Sequence, residues 1–196
     1  MKHLSIGCLI LASGQSKRFG SNKLLAPFCG MPLLEFTLNQ IPKQLFSRCV
    51  VVTRTPACCD IAERCGFEAV LHDKPLRRDS IRLGISRLLG MDGCLVVQAD
   101  QPLCRPESYA ALVGAFCAQP SRFYRLCWQN TAASPVLFPQ GSFAALCSLP
   151  EKAGGAFVIP KDPQMVQLIP ARFGWELEDT DTPQALATLE KIAYSL

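Results

Sequence analysis

The feature that most constrains the fold of this chain is an apolar run near its N-terminus that stops abruptly at a small, basic loop. The run 6–11 has the length of one buried strand, and it breaks at Ala12. The loop that follows contains Gly14 and Gly20, which we expect to adopt positive φ or to let a ligand approach the backbone. A ligand-binding loop directly after a first buried strand is therefore predicted.

The same loop carries the charges that a phosphate group needs. Arg18 and Lys23 supply two cations, and successive backbone N–H groups in such a loop can form an anion-binding nest. The spacing of Gly14, Arg18, Gly20 and Lys23 fits neither a P-loop nor a dinucleotide fingerprint. We predict a triphosphate site of another kind, and a basic surface loop without a ligand is the alternative.

Strand and helix patterns alternate along the chain, which predicts a mainly parallel sheet with helices on both faces. The whole chain, 1–196, is expected to form one domain. The expected strands are 3–11, 49–53, 68–71, 94–98, 123–128, 134–138 and 165–169, of which 123–128 and 134–138 pair antiparallel. The expected helices are 32–41, 57–65, 79–89 with Asp79 or Ser80 as N-cap, 106–118, 141–148, and one that begins at Pro183 after Thr182 as N-cap.

Composition excludes several classes of protein. Hydrophobic residues make up 49% of the chain and charged residues 18%, which excludes a disordered polymer. The net charge of +4 is too small to indicate nucleic-acid binding, although it suits anionic small molecules. No apolar stretch approaches the ~20 residues of a membrane span. We therefore expect neither a nucleic-acid partner nor a membrane.

Cysteine and histidine usage bears on location and on metal chemistry. The chain has 11 cysteines without a Cys-x-x-Cys pair, and no secretory signal precedes them. Six lie in apolar runs and are interpreted as reduced core thiols of a cytoplasmic protein: Cys8, Cys49, Cys94, Cys117, Cys127 and Cys147. Cys104 is the candidate for an exposed thiol. His3 and His72 are isolated in the sequence, so no histidine-based metal site or triad is expected.

Two acidic positions complete the candidate chemistry. Asp100 follows the apolar run 94–98, and ligands of parallel sheets bind beyond the carboxyl ends of strands. A carboxylate there suits Mg²⁺, although it could instead cap the next turn. Further on, Glu178, Asp179 and Asp181 repel one another unless they are solvated or neutralised by a cation. The alternative is an acidic helix start that the helix dipole favours without a ligand.

These motifs resemble those of the MobA-like NTP transferases, and in particular the nucleotidyltransferases that act on the molybdenum cofactor. Their pattern Leu-Ala-Ala/Gly-Gly-x-Ser-x-Arg-Met-Gly-x-x-Lys matches 11–23, with Ser13 in place of a smaller residue and Phe19 in place of Met. Their Gly-Asp-Met/Gln-Pro matches 99–102, with Ala99 as the change. Their Asp-Ile-Asp-Thr-Pro matches 179–183, with Thr180 as the change.

The resemblance implies a fold and a set of roles. The fold is a Rossmann-like three-layer α/β/α sandwich with a mainly parallel, mixed sheet, of the nucleotide-diphospho-sugar transferase type. The implied nucleotide-binding residues are Leu11, Ala12, Ser13, Gly14, Arg18, Lys23 and Ser80. The implied catalytic residues are Arg18, Lys23 and Asp100, and Asp100 and Asp181 would hold Mg²⁺ with Asp179 in support. Arg77 or Arg78 replaces a glycine of the family, either as an extra cation for a phosphate or as a surface helix start.

The activity implied is transfer of CMP from CTP to the phosphate of molybdopterin cofactor. The apolar residues and Pro27 after Lys23 resemble the cytidylyl branch, whereas the guanylyl branch more often has Asp directly before the lysine, where this chain has Asn22. Ser134 lies in a stretch that resembles the acceptor side. The alternatives are a guanylyltransferase that uses GTP, another cytidylyl or sugar-phosphate nucleotidyltransferase, and a non-catalytic chaperone that carries the cofactor to a client molybdenum hydroxylase.

Overall fold

A seven-stranded sheet of mixed direction forms the centre of the computed structural model, which describes residues 4–16 and 18–196. The strands are β1 (Ile6–Ala12), β2 (Pro27–Phe28), β3 (Met31–Pro32), β4 (Arg48–Thr53), β5 (Glu68–Leu71), β6 (Gly93–Gln98), β7 (Phe123–Trp128), β8 (Thr131–Pro139) and β9 (Val166–Pro170). The large sheet has the order β5-β4-β1-β6-β8-β7-β9, and β2 pairs with β3 separately. Strand β8 runs antiparallel to both β6 and β7, whereas the other pairs of the large sheet are parallel.

Six α-helices connect or follow the strands in the described part of the chain. They are α1 (Leu33–Gln40), α2 (Pro56–Arg64), α3 (Arg77–Arg87), α4 (Pro106–Ala118), α5 (Phe143–Cys147) and α6 (Pro183–Ala193). Proline opens α2, α4 and α6, where its fixed φ suits the first turn and its missing N–H costs nothing. The hydroxyl of Thr182 caps α6 by accepting from the backbone N–H of Ala185 at 3.1 Å, as predicted.

Two apolar layers separate the helices from the sheet. Alternate residues of β1 serve the two layers, because successive side chains of a strand point to opposite faces: Ile10 packs on one side and Leu9 on the other. The first layer takes buried residues of α1, α2, α4 and α6, and the second takes those of α3 and α5. The predicted three-layer α/β/α arrangement is confirmed.

The predicted elements are present, with shifted ends. Strand β1 begins at Ile6, and the predicted start at His3 lies outside the described residues. Strand β8 is longer than the predicted 134–138. The N-cap prediction for α3 is wrong, because the helix begins at Arg77 and the backbone N–H of Asp79 already bonds the carbonyl of Leu76.

The cysteine predictions hold in part. All 11 thiols are free, and Cys8, Cys94 and Cys127 are buried as expected. Cys104 is buried rather than exposed, and burial raises the pKa of its thiol to about 12. Cys117 is exposed rather than buried, because it lies on the solvent side of α4 next to the buried Phe116.

Among the helices of residues 4–16 and 18–196, none combines the length and the apolar character that a membrane span requires.

Candidate active site

The carboxyl ends of neighbouring parallel strands open into one cavity of about 470 Å³. The loop after β1 forms one wall, the start of α3 forms another, and the residues that follow β6 close the far side. All of the predicted nucleotide-binding, catalytic and metal-binding residues line this cavity except Ala12. Ala12 is buried at the end of β1 and contributes to the strand instead.

Lys23 bridges the two predicted metal-binding carboxylates. Its Nζ donates to Oδ2 of Asp100 at 2.5 Å and to Oδ1 of Asp181 at 2.8 Å. Arg18 donates to the other oxygen of Asp181. The Lys23 side chain is only 8% exposed, so water screens this pair less than an ordinary surface pair. Two cations and two carboxylates thus form one charge cluster at this end of the cavity.

The charge cluster shifts the pKa values of Lys23 and Asp181 in opposite directions. Desolvation alone would lower the pKa of Lys23, but the adjacent Asp100 and Asp181 outweigh it and raise the pKa. The hydrogen bond from Lys23 lowers the pKa of Asp181, and the charges of Lys23 and Arg18 lower it further. Both groups are therefore held in their charged forms near neutral pH.

The loop after β1 is anchored by Asn22, a role that the sequence motifs did not predict. Asn22 caps the short 3₁₀ helix Lys23–Leu25: its Oδ1 accepts from the backbone N–H of Leu24 at 3.1 Å. Its Nδ2 donates to Oγ1 of Thr55 at 2.9 Å, which ties the loop to the end of β4. An asparagine directly before a short turn is a capping signal, so the sequence did contain a hint of this role.

Backbone conformation in this loop differs from the prediction. Gly20 does adopt positive φ, at +82°, but Gly14 does not, and Ser16 takes a left-handed conformation instead at +48°. Gly14 still meets the second part of the expectation, because a Cβ added there would contact nothing within 4 Å and would project into open space. The bare backbone at Gly14 leaves room for a ligand.

Hydrogen bonds to the backbone of Asp100 bring the two acidic positions together across 80 residues of chain. The N–H and the hydroxyl of Thr180 both donate to the carbonyl of Asp100, at 3.0 and 3.1 Å, and Thr180 is fully buried. Gln101 donates to the carbonyl of Leu177 at 3.0 Å. These hydrogen bonds therefore hold the segment that carries Asp181 against the turn after β6.

Asp179 lies close to this pair and titrates abnormally. Desolvation and the negative charges of Asp100 and Asp181 raise its pKa to about 6, against the lowering effect of Gln101 and Lys23. Asp179 thus adds a third negative charge beside Asp100 and Asp181, and the repulsion expected among Glu178, Asp179 and Asp181 stays a prediction. A bound cation would relieve it.

The donor set suits a hard cation that brings further ligands with it. In residues 4–16 and 18–196, no three His, Cys, Asp or Glu side chains are arranged to hold a metal ion. The protein thus offers two carboxylates, Asp100 and Asp181. Mg²⁺ is commonly bound by one or two carboxylates with water and substrate phosphates as its other ligands. The residues present fit that pattern.

Further cations line the cavity on its β4 and β5 side. Arg54, Lys74 and Arg77 all reach it, and sequence reasoning named only the last. The Nε of Arg54 is buried without a hydrogen-bond partner in the described part of the chain. Arg78 lies elsewhere, beside Cys147 and Ser148, so the two adjacent arginines of α3 face different surroundings.

His72 is isolated in the sequence but has two serine partners in the folded chain. Its Nε2 lies 2.8 Å from the hydroxyl oxygen of Ser13 and 3.2 Å from that of Ser80. Both serines are predicted nucleotide-binding residues. No local motif signals this contact, because it joins the ends of two strands and a helix.

One protein family model matches most of the chain, including the loop after β1 and Asp100. A family model described as the MobA-like NTP transferase domain matches residues 8–166. The chain belongs to the MobA-like NTP transferase family. Residues 8–166 therefore form an NTP transferase domain, which is the class of domain that the resemblance of the loop and acidic motifs predicted.

Individual relatives are distant. The chain is 28% identical over 107 residues to a probable molybdenum cofactor guanylyltransferase of Pyrococcus horikoshii, which covers 55% of this chain and 54% of that protein. It is 30% identical over 111 residues to a 2-C-methyl-D-erythritol 4-phosphate cytidylyltransferase of Dehalococcoides mccartyi, which covers 53% and 49%. The chain thus spans about half the length of these relatives.

Solved structures agree on the fold. A nucleotidyl transferase from Methanothermobacter thermautotroptrophicus superposes with a TM-score of 0.80 over 97% of this chain and 98% of that one. The identity is 17%, so this likeness concerns the fold alone.

Proposed function

We propose that this nucleotidyltransferase transfers CMP from CTP to the phosphate of molybdopterin cofactor and releases pyrophosphate. The observation that carries the proposal is the single cavity in which a basic glycine loop meets Asp100 and Asp181. A triphosphate bound in this cavity would be within reach of both the cations and the two carboxylates. Catalysis then consists of positioning and charge neutralisation.

The residues divide the work between the two parts of the nucleotide. Arg18 and Lys23 neutralise the β- and γ-phosphates and the departing pyrophosphate, and the open backbone at Gly14 admits the phosphate chain. Asp100 and Asp181 would hold Mg²⁺, which when bound supplies positive charge to the nucleotide phosphates. The acceptor phosphate is already ionised near neutral pH, so the reaction needs no general base.

Lys23 has two alternative sets of partners in this proposal. One set is Asp100 and Asp181, which its ammonium group neutralises in the structure. A bound divalent cation would take over that neutralisation, and Lys23 would become available to phosphate oxygens. The charge cluster is thus compatible with both the free and the loaded protein.

The choice of CTP rests on the loop. Asn22 stands where the guanylyl branch more often has an aspartate, and here its amide group both caps a turn and donates to Thr55. An aspartate could not make that donation. The relatives are named for either nucleotide, guanylyl in Pyrococcus horikoshii and cytidylyl in Dehalococcoides mccartyi, so GTP transfer to the same cofactor is the second candidate.

The acceptor and the destination of the product belong to the proposal as well. The name of the Pyrococcus horikoshii relative supports a molybdenum cofactor substrate, and that of the Dehalococcoides mccartyi relative supports a sugar-phosphate type of acceptor. Delivery to a client molybdenum hydroxylase and a cytoplasmic location stay predictions. A carrier without catalysis is disfavoured, because the family is one of NTP transferases.

Pyrophosphate release tests the proposal directly. The assay combines Mg²⁺ with each of CTP, GTP, ATP and UTP, with and without molybdopterin cofactor, for the wild type, Asp100→Asn and Asp60→Asn. Asp60 is an exposed residue of α2 and serves as the matched control. We expect cofactor-dependent release with CTP, a loss of roughly 10²–10³-fold in Asp100→Asn by analogy with loss of one preorganised group, and no loss in Asp60→Asn.

Each other result has a definite meaning. Release with GTP alone replaces CTP by GTP in the proposal. Release only with another phosphorylated acceptor removes molybdopterin from it. No release with any pair of substrates contradicts the proposed reaction.

A further inference from the structure

His72 does not line the cavity itself, but its ring contacts the hydroxyl groups of two serines that do. Its Nε2 is 2.8 Å from Oγ of Ser13 and 3.2 Å from Oγ of Ser80. Both serines line the cavity. His72 follows β5, Ser13 follows β1 and Ser80 lies in α3. Ser13 is distant in sequence from the other two, so only the folded chain brings the three residues together.

The hydrogen bonds around the ring determine which nitrogen carries the proton. The backbone N–H of Lys74 donates to Nδ1 at 3.1 Å, so Nδ1 is unprotonated and the hydrogen of the neutral ring is on Nε2. Ser13 donates its own hydroxyl hydrogen to the carbonyl of Val52 at 3.0 Å and therefore accepts from Nε2. Ser80 is a second, more distant acceptor of the same hydrogen.

The hydroxyl hydrogen of Ser80 remains available to a ligand. In the described part of the chain, the contact with His72 is the one hydrogen bond of this hydroxyl. Ser80 is 2% exposed and borders the cavity. A buried hydroxyl without an acceptor is costly, so an acceptor atom of a bound molecule at this point would be recognised strongly.

The order of the strands separates this group from the charge cluster. In the order β5-β4-β1-β6, His72 follows β5 and Asp100 follows β6. Three strand spacings of ~4.8 Å place the two strand ends about 14 Å apart. The His72 ring reaches back to Ser13, directly before Gly14, so the group borders the phosphate loop on its β4 and β5 side. With phosphates at Lys23 and Asp100, the nucleoside part of the nucleotide would lie on that side, away from Asp100.

We propose that His72 is a positioning residue for the nucleoside: its neutral ring holds Ser13 and Ser80 in place and leaves the Ser80 hydroxyl to donate to a carbonyl oxygen of a pyrimidine base. The inference rests on the proposed nucleotidyl transfer. It depends on Ser13, which replaces a smaller residue of the family pattern, so it concerns this chain in particular.

Protonation of His72 is expected to disturb this arrangement. A second ring proton on Nδ1 would face the N–H of Lys74, and two donors would then oppose each other. Desolvation and the charges of Arg54 and Lys74 lower the pKa of His72, whereas Asp79 and Asp73 raise it, and the net direction is down. Nucleotide binding should therefore weaken as the pH falls through a value below ~6.5.

The test compares wild type, His72→Gln, His72→Phe, Ser80→Ala and the double variant His72→Phe/Ser80→Ala. Calorimetric titration with CTP and Mg²⁺ gives the dissociation constant, and pyrophosphate release gives KM and kcat. We expect His72→Phe to raise the KM for CTP about fivefold to tenfold, the loss of one good hydrogen bond, with kcat nearly unchanged. His72→Gln keeps a donor close to the Nε2 position and should restore most of the affinity.

Two further results separate positioning from a merely structural role. The double variant should bind CTP as weakly as the weaker single variant, because both changes remove the same contact. The acidic loss of affinity in the wild type should be absent from His72→Gln, since glutamine does not titrate. If His72→Phe does not fold in a thermal melt, this pH comparison decides alone.

Failure of the inference is distinguishable from failure of the proposed function. A wild type that binds no nucleotide contradicts the proposed function and the inference with it. A wild type that binds CTP, with either an unchanged KM in His72→Phe or additive effects of the His72 and Ser80 changes, contradicts the inference alone. The same pH profile in His72→Gln as in the wild type also contradicts it.

Discussion

Replacing Glu176 with glutamine tests how the acidic segment that carries Asp181 is held in place. Glu176 is fully buried in the short 3₁₀ helix Gly174–Leu177, directly before that segment. Its two carboxylate oxygens accept four hydrogen bonds. The donors are the backbone N–H groups of Arg105 at 3.3 Å, Arg172 at 2.9 Å and Phe173 at 3.1 Å, and the hydroxyl of Ser108 at 2.5 Å.

The expected magnitude follows from which of these bonds survive. Glutamine keeps one carbonyl oxygen for the N–H groups of Arg172 and Phe173, but its amide NH₂ cannot accept from Arg105. One hydrogen bond to a charged group is worth about 1.5–3 kcal/mol, so the free energy of unfolding should fall by about 2 kcal/mol. Glu176→Ala orphans all four donors and should cost about 3–5 kcal/mol, as loss of one partner of a buried polar network does.

Urea unfolding at pH 7 measures the effect, with Trp175 beside the mutated residue as a fluorescent probe. A loss of 2 kcal/mol corresponds to a fall in Tm of about 4–8 °C for a protein of this size. Glu178→Gln is the matched control, because Glu178 is exposed two residues further on, and it should stay within about 0.5 kcal/mol of the wild type. Equal stability of the Glu176→Gln and Glu178→Gln variants would refute the assignment of Glu176 as a buried acceptor.

Three further predictions concern the loop, the carboxylates and the thiols. Gly14→Ala should leave Tm unchanged and raise the KM for the nucleotide, because its Cβ enters open space in the cavity. Gly84→Ala should lower the free energy of unfolding by about 1–3 kcal/mol, because its Cβ would lie 2.2 Å from the buried Leu9. An equal Tm for the two variants would contradict this. The pKa of Asp179 is raised to about 6 in the folded protein, so the folded state gains a proton as the pH falls from about 6 to about 4 and this group favours folding there. Asp179→Asn should therefore be more stable than the wild type at pH 7 and lack that pH dependence in urea unfolding, and a variant less stable at pH 7 would show that the charge is not the cost. Cys117 is exposed while burial raises the pKa of Cys94 and Cys104, so a thiol reagent should label Cys117 in the native protein and the other two only in denaturant, as peptide mass mapping can show; early labelling of Cys104 would contradict its burial.

The elements were predictable because their signals are local. Continuous apolar runs, proline at helix starts and Thr182 as a cap depend on residues close in sequence, and these strands and helices occur where expected. The start of α3 was not predictable in this way. The helix begins at Arg77, and Ser80, one of the two residues predicted as N-cap, lies inside the helix and contacts His72 instead.

The chemical identity of the site was also contained in the sequence. The resemblance of the basic glycine loop and the two acidic motifs predicted an NTP transferase, and the family match confirms that class of domain. Charged residue types at fixed spacing carry this information, because phosphate and divalent cations need particular atoms in any fold.

Only the tertiary structure decided how these atoms are joined. The ion pairs from Lys23 to Asp100 and Asp181 span 77 and 158 residues. The neighbouring strands β1 and β6 bring Lys23 to Asp100, and the hydrogen bonds from Thr180 to Asp100 bring Asp181 to both. The same packing gives His72 its two serine partners and buries Cys104 beneath α4. Such contacts depend on which strand ends are neighbours, and no residue pattern in the chain specifies that order, so the partners of a side chain become known only in the folded molecule.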